Sequence, residues 1–152
     1  MSKSWQQDIL TVLDSTHIAF LSSQGKTGPE TSMTPFAVYE DSILLHLSEL
    51  AKHTKNIKQH PEVGLMICTP ETKDISPLAL PRLSLQGNIH KISALDANVA
   101  KDTYLAKLPD AEPLFSFSDF SIYQMKVHHV HWVGGFGKAR KVSIETWRTL
   151  FC

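Results

Sequence analysis

Apolar residues recur along the chain at two different periods, and the places where the period changes mark the elements. Trp5, Ile9, Val12 and Leu13 fall at helical spacing and predict a short amphipathic helix that Asp14 and Ser15 end. From His17 the period drops to two, with Ile18, Phe20 and Ser22 on one face of a strand and Ala19 and Leu21 on the other. Gln24 to Pro29 is a turn, and Glu30 to Tyr39 reads as a second strand carrying Met33, Phe36 and Val38. Pro35 in its middle argues for an edge, a bulge or a ligand-facing position, because proline cannot donate to a ladder. Ile43 to Leu47 is the next strand, with Ile43, Leu45 and Leu47 on one face.

His46 to Pro61 then runs from this strand into a short basic helix, with Ser48 expected as its N-cap. Val63 to Thr69 is apolar on both faces and predicts a central strand. Leu80 to Ile92 follows as a long strand with Leu83, Leu85 and Ile89 facing one way and Arg82, Ser84, Gln86 and Asn88 the other; Gly87 suggests a bulge. Ser93 is the expected cap of a helix reaching Leu108, buried through Val99, Tyr104 and Leu105. Pro113 to Phe120 is aromatic and suggests one helical turn and a loop. Ser121 to Val133 alternates strongly, as one long strand or two. Lys138 to Val142 is a last short strand, and Ser143 caps a final helix.

Six or seven strands in antiparallel succession, with helices placed between them and no βαβ rhythm, disfavour a Rossmann sheet. They predict a mainly β protein, an antiparallel β-barrel with flanking helices. The absence of repeats, low-complexity tracts and linkers predicts a single domain over residues 1–152.

Composition adds exclusions. Fifteen Lys and Arg balance fifteen Asp and Glu, so neither nucleic acid nor an anionic membrane is called for. No apolar run approaches the roughly 20 residues of a membrane span, and the polar start Met1 to Asp8 lacks a signal-peptide core. Two cysteines suit a reducing compartment, with Cys68 expected in the core and Cys152 exposed, and the expected location is the cytoplasm.

Three stretches carry possible chemistry. His128, His129 and His131 are clustered; on a regular strand His129 and His131 share a face and His128 points away, and no Cys or carboxylate set completes a metal pattern, so no metal site is assigned. No Gly-x-Ser-x-Gly elbow exists and Cys68 has no helix terminus to activate it, which excludes a hydrolase on these signals. Gly134 to Gly137 serves equally as a strand-end bend or as a ligand-lining turn. The third is His46 to Pro61, where a strand delivers Ser, Lys, His and Thr to a helix start, an arrangement suited to an anion.

Thr31-Ser32-Met33-Thr34-Pro35-Phe36, then Leu50-Ala51-Lys52-His53-Thr54-Lys55-Asn56-Ile57 with His60-Pro61, then Arg82-Leu83-Ser84-Leu85-Gln86-Gly87 with Gly135-Phe136-Gly137-Lys138-Ala139, occur in order over most of the chain. In combination these blocks resemble the pyridoxamine 5′-phosphate oxidase-like FMN-binding split barrels, and within them the haem-utilisation branch. The resemblance implies a homodimer with flavin sites at the subunit interface. Thr31, Ser32, Met33, Thr34, Pro35 and Phe36 would line FMN, His46 and Leu47 would lie beside it through their backbone, Lys52 and His53 would grip its phosphate, and Arg82 would reach the ring or ribityl chain. The oxidases of the family carry arginine at the place of Thr31 and Arg-Lys at the place of Lys52-His53. FMN affinity is therefore expected to fall as pH rises through the titration of His53. The haem branch uses a histidine in a C-terminal tail, and Trp147 to Cys152 holds none, which leaves His128, His129 or His131 as substitutes.

The resulting expectation is an FMN-dependent oxidoreductase acting on a small molecule, its substrate and catalytic residues unassigned. A haem-binding protein of haem utilisation is the first alternative, and a non-catalytic ligand-binding barrel the second.

Overall fold

The computed structural model describes residues 4–152, so the first three residues of the polar N-terminus lie outside the described residues. Among the described residues four helices and eight strands follow in order: α1 (Trp5–Ser15), β1 (Ile18–Gln24), β2 (Pro29–Pro35), β3 (Ala37–Tyr39), β4 (Ser42–Ser48), α2 (Lys52–Gln59), β5 (Glu62–Cys68), β6 (Arg82–Lys91), α3 (Ala97–Lys107), β7 (Phe120–Val133), β8 (Ala139–Val142) and α4 (Ile144–Thr149). Short 3-10 turns cover Pro77–Ala79 and Pro109–Ser116.

The strands form one antiparallel sheet in the order β2-β1-β5-β6-β7-β4-β3, with β8 added to β7. Its two edges, β2 and β3, are consecutive in the chain and separated only by Phe36, so the sheet has to curl until its edges approach. This is the expected mainly β split barrel, with one strand more than predicted. The single strand expected over Glu30–Tyr39 breaks after Pro35, which has no N–H to donate; the Phe36 amide bonds instead to the His17 carbonyl. Phe36 is fully buried where the curl closes.

The inner face holds the main core, including Leu21, Ile43, Leu45, Leu47, Leu83 and Trp132, with Ile9, Val12 and Leu13 of α1 packed onto it. Trp147 of α4 is also buried there, and its indole N–H donates to the Asp41 carbonyl at 2.9 Å. A second cluster lies outside the sheet, where α3 covers β3, β4 and β7 through Ala37, Leu44, Ala100, Tyr104 and Ile122. Strand β4 is therefore buried on both faces.

Several local expectations change for physical reasons. α3 begins at Ala97 because Ser93 turns its hydroxyl onto the Asp96 carboxylate, and the buried pair is Ala100 and Tyr104 while Val99 faces solvent. α2 begins at Lys52 with Ala51 at its N-cap. Ser48 is three residues upstream, where it accepts from the Leu50 amide and donates to Asp119. β5 is central, between β1 and β6, yet only Val63, Leu65 and Ile67 are buried. Gly64, Met66 and Cys68 are half-buried on the outer face, so Cys68 is not the core residue expected. Among the described residues no helix is long and apolar enough to cross a membrane.

Candidate functional site

Strand alternation distributes the predicted flavin residues. Thr31, Met33 and Pro35 point to the outer face; Ser32 and Thr34 turn inward, and Phe36 is core. Six consecutive residues of a strand cannot present their side chains to one ligand, because successive side chains leave opposite faces. Leu47 faces the barrel interior. Arg82 lies on β6 opposite Cys68, and its guanidinium donates to the carbonyls of Leu80 at 2.9 Å and Leu78 at 3.3 Å, holding the turn before the strand.

The start of α2 does gather three predicted residues. His53 Nδ1 is 3.0 Å from the Ser32 hydroxyl, and Lys52 stands beside them on the first turn. A fourth group joins that sequence reasoning missed. Glu30 takes an ion pair from Lys52 at 2.7 Å and a hydrogen bond from Asn56 Nδ2 at 2.6 Å. The Lys52 hydrogen bond first, and then that from Asn56, hold the Glu30 carboxyl below its ordinary pKa. Burial lowers the pKa of His53 and so disfavours its charged form. The Lys52 cation of the cluster is thus already paired with an anion, and burial works against a charge on His53. Asn56 was legible, since it follows Lys52 by four residues on one helix face. Glu30 was not, because its approach depends on how β2 lies against α2.

On the outer face, ladder partners share a side, and the pairs align into rows. Met33, Phe20, Met66, Ser84, His131 and Lys141 form one such row across six strands. Ile18, Phe20 and Met33 are about half exposed (47%, 50% and 57%), an apolar patch open to solvent. The register of β6 against β7 slips between Gln86 and Gly87: Gln86 pairs with His129 and Gly87 with Val127, so His128 is the extra residue of a bulge. Burial along β7 then runs Val127 buried, His128 and His129 exposed, Val130 buried, His131 exposed. All three histidines face outward, which corrects the expectation that His128 points away. His128 and His129 line a 550 Å³ cleft with Ser22, Gly64, Gln86 and Asn88. Among the described residues no three His, Cys, Asp or Glu side chains converge tightly enough to hold a bare metal ion.

His46 lies elsewhere, on the outer side of β4 beneath α3, only 7% exposed. Its ring stacks on Phe115 at 3.9 Å and 9°, with Tyr104 and Phe120 at 5.6 and 5.2 Å. Burial pushes its pKa down to about 4, and among the described residues its Nδ1 has no hydrogen-bond partner.

Residues 9–149 match the family described as CREG, beta-barrel. The chain is 34% identical over 137 residues to the chloroplastic haem oxygenase HOZ of Arabidopsis thaliana, covering 88% of this chain and 41% of that protein. It is 25% identical over 136 residues to the haem oxygenase HutZ of Vibrio cholerae, covering 83% of this chain and 72% of that one. Among solved structures, a haem-binding protein from Mycobacterium smegmatis superposes with a TM-score of 0.87 at 25% identity, over 98% of this chain and 62% of the other. The chain therefore spans well under two thirds of the first relative and slightly under two thirds of this structure. A pyridoxamine 5′-phosphate oxidase-type protein from Listeria innocua shares the fold alone, with a TM-score of 0.68 at 14% identity over 87% of this chain and all of that one.

Proposed function

The chain belongs to the CREG β-barrel family, and from that premise we propose that it handles haem, binding the macrocycle on the outer face of the sheet with an imidazole of β7 on the iron. The observation that carries this reading is the bulge opposite Gln86 and Gly87, which turns His128, His129 and His131 to one side of the sheet. Imidazole is a common haem ligand. The exposed apolar side chains Ile18, Phe20 and Met33 on the same sheet suit a planar apolar ring, and Lys141 beside His131 suits a carboxylate on its rim. The residues present therefore fit the group. When bound, haem supplies redox and oxygen chemistry; the chain supplies a ligand, an apolar wall and charge complementarity.

A second copy of this chain is proposed to close the site. β5 is apolar on both faces, as fully covered strands are, yet Met66 and Cys68 are only half-buried in one copy. Sedimentation is expected to show a dimer that Phe20→Glu converts to monomer. Titration with haemin is expected to give a shifted Soret band, and among His128→Ala, His129→Ala and His131→Ala at least one variant loses roughly tenfold or more in affinity. A titration with no Soret shift removes the haem reading, and three variants that all bind like the parent remove β7 as the ligand.

FMN is the second reading, favoured by the gathering of Ser32, Lys52 and His53 at a helix start. As folded, these residues do not fit its phosphate. A dianion arriving there meets Glu30 as well as Lys52, and a His53 whose charged form burial disfavours. Burial favours the neutral form of His53, so the weakening of FMN affinity with rising pH is expected to set in below the ordinary histidine value. Glu30→Gln is expected to raise FMN affinity about tenfold at low salt and less at high salt, because it frees Lys52 and removes a like charge. Equal affinity of the variant and the parent, read by fluorescence quenching of FMN, would show that Glu30 does not govern the site.

A further inference from the structure

Lys107, the last residue of α3, is a half-buried cation held by neutral groups alone. Its ammonium donates to the Leu13 carbonyl of α1 at 2.7 Å and lies 3.7 Å from the centre of the Phe36 ring. Among the described residues none of the ion pairs involves it. The same side chain forms part of the wall of a cavity of about 510 Å³, whose apolar lining is Pro35, Leu108, Ala111, Leu114 and Phe120. From this juxtaposition we propose that the cavity binds an alkyl carboxylate, its chain against Leu108, Leu114 and Phe120 and its head group on Lys107.

Charge is the first reason. Buried charges are ordinarily paired, and burial here pushes the Lys107 pKa down to about 8, with Asp14 acting in the opposite sense. An ammonium has three N–H donors. The Leu13 carbonyl takes one and the Phe36 ring face engages a second, which leaves one for a carboxylate oxygen. A single ammonium matches a monoanion; a phosphate dianion calls for more donors than it offers. Asp110 also lines the cavity, but it is exposed, as is Asp14, so water screens both.

The second reason is the wall. Most of its apolar side chains are aliphatic, which suits a flexible chain. Leu114 is 37% exposed, and a chain laid against it removes apolar surface from water. The cavity shares no residue with the cleft at His128 and His129, so the proposal stands apart from the haem reading.

The probes for the test are octanoate, 1-octanol and octylamine, compared by calorimetric titration at pH 7. Octanoate is expected to bind once per chain, about tenfold more tightly than the alcohol, and octylamine more weakly than either. Lys107→Met, shown folded by its denaturation profile, should weaken octanoate about tenfold and leave the alcohol within about twofold. Leu114→Glu, a change at an exposed position, should weaken octanoate more than the alcohol, because it adds a like charge beside the chain. The variant His128→Ala/His129→Ala/His131→Ala should bind octanoate like the parent, so failure of the haem reading would not disturb this result. Equal affinity for octanoate and 1-octanol, tighter binding of octylamine, or an unchanged octanoate affinity in Lys107→Met would overturn the proposal.

Discussion

Replacing Gly87 with alanine is expected to cost about 3 kcal/mol of stability, at the upper end of what overpacking one methyl usually does. A Cβ built on Gly87 would lie 2.0 Å from the Lys126 carbonyl oxygen and 2.9 Å from its carbonyl carbon. Those are backbone atoms of the neighbouring strand, so no side-chain rotation relieves the contact. Either β6 and β7 separate here, across the largest ladder of the sheet, or the register shifts to remove the bulge. In the second case His128 turns inward, and the outward face keeps two histidines of three. Urea denaturation measures the first effect and haemin titration the second. A stability loss below about 1 kcal/mol would mean that the two backbones are free to separate at this point.

The second large effect is acid sensitivity centred on His46. Above the reference value of about 6.5 the imidazole is neutral in both folded and unfolded chains and contributes no pH dependence. As pH falls below that value the unfolded chain takes up a proton, while the folded one, whose pKa is pushed down to about 4, does not. Folding is therefore disfavoured progressively, by about 2 kcal/mol at pH 5 and about 3 kcal/mol at pH 4, and the effect levels off below that. Other groups titrate in the same window, so the measurement is a difference. The stability of His46→Leu minus that of the parent should be near zero at pH 7.5, or slightly positive because the orphaned Nδ1 is removed. It should grow by the stated amounts toward pH 4. A difference that stays flat with pH would show that His46 takes up its proton at the same pH in the folded and unfolded chains.

The same two residues show how far the sequence could be read. Gly87 interrupting an alternating run was a visible sign of a bulge. What the bulge does to β7 was not visible, because the extra residue is assigned by pairing between strands that are distant in the chain. His46 was visible as a polar position in an apolar strand next to a basic helix, and the family resemblance directed it toward a flavin. Its actual neighbours, Tyr104 and Phe115, come from a helix and a turn about sixty to seventy residues away.

Hydrophobic periodicity by itself determined the strands, their antiparallel succession and the flanking helices, because burial of one face is a local property of each segment. The ordered motif blocks determined the family likeness. Tertiary structure alone decided the charge state of the predicted phosphate clamp, since Glu30 reaches Lys52 only when β2 is laid against α2. It alone placed three histidines on one face and closed an aromatic cage around a fourth. Each of these depends on register and on contacts between segments far apart in the chain, and the free energy of such contacts is not encoded in the alternation of any one segment.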